Sequence, residues 1–248
     1  MITVSVGPKQ EKIIVHQDLI CRRSTFFKAA LSRGWKEAQD KVVHLPKVLP
    51  PEFRTYVETI YGYGCDLSGL AYTLALDRLK EKGVSNISYA LVEVIAIEAL
   101  SILWIHGDYL GDVKFKNDVI DNINKTLKRK VTAATISRVF TETQPGSALQ
   151  RFIVDYCVRG GVQNTIFAAE KLEECGAEFA FALIKASAAK GVSPGAPPGV
   201  SASDLNISDY HEKEGEEEEE AQPASSSKSI EGTPNSLAGA ATPDTQTQ

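Results

Sequence analysis

Cysteine, methionine, tryptophan and histidine are all scarce in this chain, at 4, 1, 2 and 4 among 248 residues. Cys21, Cys65, Cys157 and Cys175 are scattered and form no C-x-x-C. Neither a disulfide framework nor a cysteine zinc site is therefore written in them. Cys21 falls in an apolar helical stretch, where a free thiol serves as a small buried hydrophobe. Scattered thiols without a secretory leader pattern point to a reduced, intracellular protein. The histidines, His16, His44, His106 and His211, show no H-x-x-x-H and no Cys/His spacing suited to zinc. No phosphate loop G-x-x-x-x-G-K-[ST], no G-x-G-x-x-G after a strand and no G-x-S-x-G elbow occurs. An enzyme reading thus lacks its parts, and no catalytic, cofactor-binding or metal residue is assigned. Long apolar runs are missing as well. The longest, Ala90 to Ile105, is interrupted by Glu93 and Glu98, which favours a buried helix with one polar stripe over a membrane span.

What is present is an apolar share of 43%, enough for a real core, and a net charge of −5 that hides a split. Residues 191–248 carry eleven Asp/Glu against two Lys, while residues 1–190 carry 21 acids against 25 bases. A mildly basic body is followed by an acidic tail.

The front of the chain is organised around Val15 to Leu31. Two β-type runs lead to it, Ile2–Val6 and Lys12–His16, separated by Gly7-Pro8-Lys9-Gln10-Glu11, so they read as a hairpin. After His16 the period becomes helical, with Leu19, Ile20, Phe26, Phe27, Ala30 and Leu31 near one face. Ser24-Thr25 can restart a turn there, and the paired phenylalanines should anchor a core. Lys41–Pro46 reads as a third strand. Pro50-Pro51 opens a helix that turns Phe53, Val57, Ile60 and Tyr61 inward.

This order resembles the BTB/POZ domain, in the compact form common in fungal proteins. The resemblance is carried by Val15-His16, Leu19, Ser24, Phe26-Phe27, Trp35, Val43, Leu45-Pro46, Phe53 and Ile60-Tyr61-Gly62. A second block, Trp104 to Asp121, looks like the family's paired helices. The resemblance implies an α+β fold in which a small β-sheet is flanked by helices over residues 1–130. Residues 65–88 would be an inserted segment, residues 131–190 a helical extension packing on the front, and residues 191–248 a disordered acidic tail. His16 and His44 lie at strand ends in it and read as structural.

The remaining elements follow from local signals. Ala71–Lys82 reads as a helix stopped by Gly83, within a segment best tolerated as a surface insertion. Ser85-Asn86-Ile87-Ser88 offers a cap for a helix from Tyr89 to about His106, and a further helix runs from Asp108 to Lys130 with a break at Gly111-Asp112. Where the family has alanine stands Gly107, which should loosen its helix by about 1 kcal/mol. Beside it, His106 reads as partly exposed or capped by a carbonyl, with a ligand role as the rarer alternative. Thr132 caps a helix through Phe140, Leu149–Val158 is helical, and Gln163–Ala189 gives one or two helices with Ile166, Phe167, Leu172, Phe179, Phe181, Leu183 and Ile184 apolar. Thr143 to Asp155 resembles the helical extension of fungal members. From Gly191 the composition offers too little apolar surface to offset ordering entropy.

A docking module is the function these readings support: non-enzymatic, self-associating and recruiting a partner protein, with no membrane or direct nucleic acid partner. In dimeric relatives the first strand and first helix build the two-fold interface. By resemblance Ile2, Val4, Leu19, Ile20 and Phe27 are therefore candidate dimer contacts, the alternative being monomer core. The first strand's edge supplies the motive, since an open edge invites pairing. A substrate adaptor of a cullin-type ubiquitin ligase is the rival reading, for which the resemblance offers Phe53, Tyr56, Tyr61 and Tyr109 on the docking helices. A nuclear, transcription-linked scaffold is the third, resting on Lys125, Lys128, Arg129 and Lys130 as an import patch. Those bases equally suit a helix C-terminus, where cations complement the dipole.

Overall fold

Residues 1–32, 36–62, 66–127, 131–159, 169–191 and 205–213 are described by the computed structural model. Alternation of Ile2, Val4 and Val6 builds β1 (Ile2–Val6), which turns back through Gly7–Gln10 into β2 (Glu11–Val15). The two run antiparallel, Ile2 opposite Val15 and Val6 opposite Glu11. β3 (Val42–Leu45) lies parallel to β1 on its other side, pairing Thr3 with Val42 and Val6 with Leu45. The sheet order is β2-β1-β3. β1 is thus the central strand, and the expectation that it offers an open edge is corrected: both of its edges are already paired.

Between β2 and β3 the chain forms α1 (Gln17–Arg23), α2 (Thr25–Ala30) and α3 (Lys36–Asp40). The break between the first two is made by Ser24, whose buried Oγ accepts from the Phe27 N–H at 3.1 Å and donates to the Leu110 carbonyl at 2.5 Å. One hydroxyl therefore caps α2 and ties it to a distant helix end. Phe27 is fully buried, whereas Phe26 is half-buried against Tyr109, with ring centroids 5.1 Å apart. Trp35 lies outside the described residues.

Past β3 come α4 (Pro50–Ile60), α5 (Leu67–Glu81), α6 (Tyr89–Leu110) and α7 (Val113–Thr126). α6 is long and apolar enough to cross a membrane by length and composition alone. Here α5 and α7 pack along it, burying Ala96, Leu100, Leu103 and Trp104. Its acids, five residues apart, do not form the single polar stripe expected. Glu98 reaches Arg138 at 3.2 Å, but Glu93 is buried with its Oε1 unpartnered. α5 corrects the reading of residues 65–88 as a surface insertion, because Leu67, Ala71, Leu74, Ala75 and Leu79 form a buried stripe against α6.

α6 continues through Gly107 to Leu110. A Cβ at Gly107 would stand 2.8 Å from Phe115 Cδ1 and 3.1 Å from Lys116 Cγ. The glycine lets α7 cross close to α6, so the loosening expected of it is outweighed by a contact that alanine would obstruct. Gly111 then ends α6 at φ 63°, and Asp112 starts α7 by accepting from the Phe115 N–H at 2.8 Å. Asp112 is almost wholly buried. It also accepts from Arg23 Nη2 at 3.1 Å and from Tyr56 Oη at 3.1 Å, joining α1, α4 and α7.

Capped by Thr132, α8 (Ala133–Glu142) packs on α6 and leads to α9 (Ala148–Arg159), α10 (Ala169–Cys175) and α11 (Ala177–Ala189). Gln150 closes the α8–α9 loop, accepting from the Gly146 N–H at 2.9 Å and donating to Thr143 Oγ1 at 3.0 Å. These helices share one compact unit, Met1–Glu214, with the front of the chain. The fold is α+β, mostly helical with a small three-stranded sheet.

Candidate functional site

Asn117 and Asp121 stand four residues apart and so share one face of α7, with Lys116 beside them. That face meets a stretch expected to be disordered. Residues 205–213 lie along α7 and α9 and include a 3₁₀ turn at Ile207–Tyr210. The expectation of disorder from Gly191 onward is corrected for residues 205–213. Leu205 and Tyr210 are 7% and 6% exposed, a burial that offsets the entropy of ordering the strap. The rest of the segment, the acidic run Glu216–Glu220 included, lies outside the described residues.

Two kinds of chemistry hold the strap. Tyr210 packs edge-on against Phe152, centroids 5.3 Å apart at 87°, and its hydroxyl donates to Asp155 Oδ2 at 2.7 Å. The other oxygen of Asp155 is paired with Lys190. Two residues on from Tyr210, the Asn117 amide forms a reciprocal rung with the backbone of Glu212. Nδ2 donates to the Glu212 carbonyl at 2.9 Å and Oδ1 accepts from the Glu212 N–H at 2.8 Å. His211 Nε2 lies 2.8 Å from Asp121 Oδ1. Lys116 bonds both Asp108, at 2.8 Å, and the Glu212 carboxylate, with its ammonium 5.2 Å from the centre of the Trp104 ring. Burial pulls the Lys116 pKa down, but the hydrogen bonds and charges of Asp108 and Glu212 outweigh it and leave it above the ordinary lysine value. Beside the strap a cleft of about 560 Å³ remains open, lined in part by Gln150, Val154, Ala186, Leu205 and Tyr210.

A second polar arrangement sits where α4, α5 and α6 meet. Glu52 is buried, takes Arg78 Nη2 at 2.5 Å, and caps α4 by accepting from the Leu49 N–H at 3.3 Å. His106 Nδ1 faces the same carboxylate at 3.5 Å without a hydrogen-bond partner. Burial lowers its pKa below the ordinary histidine value, against the opposing pull of Glu52 and Glu142. His106 is therefore part-buried beside an ion pair, its side chain 14% exposed: partly exposed as expected, but without the carbonyl cap. Among the described residues, no group of three or more His, Cys, Asp and Glu side chains is placed to hold a metal ion.

The residues singled out by resemblance scatter. Ile2, Val4, Ile20 and Phe27 are core side chains with 0–2% exposure, and of the candidate dimer contacts Leu19 alone is half-exposed. Phe53 and Tyr56 are likewise core; burial and then Asp112 push the Tyr56 hydroxyl pKa upward. Tyr61 is half-exposed with its hydroxyl 2.6 Å from His16 Nδ1, while Tyr109 is exposed. Lys125 occupies the exposed last turn of α7, the favourable end of the dipole. Lys128, Arg129 and Lys130 lie outside the described residues. Average composition over residues 191–248 hides the strap. Its local signal was the cluster Leu205-x-Ile207-x-x-Tyr210 amid Ser, Pro, Gly and Glu.

No family model matches the chain, and no curated protein or solved structure matches it either.

Proposed function

We propose that the chain is a non-enzymatic protein-interaction module, of the kind the BTB/POZ resemblance implies, which works inside the cell and recruits a partner through the α7/α9 groove. One observation carries this reading: the groove already holds a short segment of chain, its main chain paired at Asn117 and its Leu205 and Tyr210 side chains seated. Such a surface selects a linear segment with an aliphatic residue, a tyrosine five residues on and an acid two further. The chain's own strap occupies it in cis, where a high effective concentration makes a weak contact sufficient. Self-association belongs to the same reading, though it needs a face other than the core residues Ile2, Val4, Ile20 and Phe27.

The test is calorimetric titration of a peptide spanning residues 205–213 into the full chain carrying Leu205→Ala and Tyr210→Ala. A dissociation constant on the order of 10–100 μM is expected, lost on adding Asn117→Ala. No binding at millimolar peptide would sink the reading. A second reading, the cullin adaptor, is favoured by Tyr109, exposed at 54% against Phe26. It expects retention of the chain on an immobilised cullin at physiological salt, abolished by Tyr109→Ala; no retention removes it.

A further inference from the structure

α11 is apolar on two opposite faces. Phe179 and Leu183 are buried toward α8 and α9, as a helix in the outer layer requires. The far side should be polar, yet it carries Ala177, Phe181, Ile184 and Ala188, all exposed, with Phe181 at 71% and Ile184 at 58%. At about 100° per residue these four fall within about 60° of one another. Their spacing of four, three and four is the seam of a two-helix coiled coil. A seam of that kind facing water marks an interaction surface. Of the apolar residues read in this helix, Phe179 and Leu183 already fill the inner face, and Phe181 and Ile184 are left outside it.

The order of the residues identifies the occupant. The stripe is symmetric about the midpoint between Ala182 and Leu183: small at both ends, large in the middle. Laid antiparallel on a copy of itself, Phe181 meets Ile184 of the second copy and Ala177 meets Ala188, twice over. Two-fold association requires this self-complementarity and a generic partner does not. Charge agrees with the register. Glu178 and Lys185 flank the stripe on one side, both exposed and neither in an ion pair among the described residues. The antiparallel pairing sets Glu178 near Lys185 of the second copy, in two equivalent pairs.

We propose that this face is a homodimer seam, formed by two copies of the chain packing α11 against α11 antiparallel about a two-fold axis. The proposal rests on the interaction-module reading and gives its self-association a surface. A helix of this length is about 20 Å long, so the seam buries less than the roughly 1,200 Å² of a standard stable interface. The dimer is accordingly reversible, with dissociation in the range of about 10–100 μM.

Sedimentation velocity of the full chain between about 5 and 500 μM tests it. A monomer–dimer equilibrium is expected, weakened at least about tenfold by Phe181→Glu, with circular dichroism unchanged because the side chain is exposed. Glu178→Lys or Lys185→Glu alone weakens the dimer, and the two together restore it. Orientation is read from cysteine cross-linking above the wild-type background. Ala177→Cys mixed with Ala188→Cys links across the seam, and neither variant links to itself. A monomer throughout the range, a dimer indifferent to Phe181→Glu, or self-linking of Ala177→Cys would each overturn the proposal. Titration of the strap peptide into the Phe181→Glu form of the opened chain should be unaltered, which separates failure of the seam from failure of the groove.

Discussion

Gly107 shows how a single hydrogen in place of a methyl group sets a helix crossing. Helix propensity alone says that alanine would stabilise α6 by about 1 kcal/mol. The 2.8 Å approach to the Phe115 ring, itself buried, says otherwise. Gly107→Ala is expected to lower stability by about 1–2 kcal/mol in urea denaturation, since overpacking outweighs propensity. Asp112 acts by satisfying three donors at once, so Asp112→Ala strands Arg23, Tyr56 and the Phe115 N–H and should cost about 3 kcal/mol. At His106 the sign follows from burial. Its folded pKa lies below the unfolded value of about 6.5, so the unfolded chain takes up the proton more readily. The stability it contributes is present above that value and is lost as pH falls through the folded pKa. Thermal melts between about pH 7.5 and 5 should show this loss, and His106→Gln should flatten it.

Among the elements, those with strong local signals were legible and those defined by their neighbours were not. The Ser24 restart, the Thr132 cap and the Gly83 stop stand where local chemistry places them, and the cap offered by Ser85-Asn86-Ile87-Ser88 is made by Ser88. The role of α5 was missed because a helix seen alone does not reveal what covers it. Its burial yields a direct test. Leu79→Ala should cost about 2–4 kcal/mol in denaturant unfolding, whereas a surface insertion would lose under about 0.5. The strap was missed for the opposite reason, as a few anchoring residues were averaged into a polar tail. For α11, apolar content says how much surface seeks cover, and not which face receives it.

Across the whole molecule, the α+β character and the succession of hairpin, helices, strand and helices were written in the periodicity. The sheet order was not. Nothing local tells β3 to run parallel to β1 on its far side, and this pairing converts the expected edge strand into the centre of the sheet. It also moves Ile2 and Val4 from an expected contact surface into the core, and the recognition proposed above is placed on helical faces instead. Of those, the α7/α9 groove supports the central claim, and the backbone amide of Glu212, which donates to Asn117 Oδ1 at 2.8 Å, reports on it directly. Hydrogen exchange on the full chain should find that amide slowed by at least about tenfold relative to an unstructured peptide, with the protection lost in Asn117→Ala. Exchange of Glu212 at the unstructured rate in the unaltered chain would contradict the account.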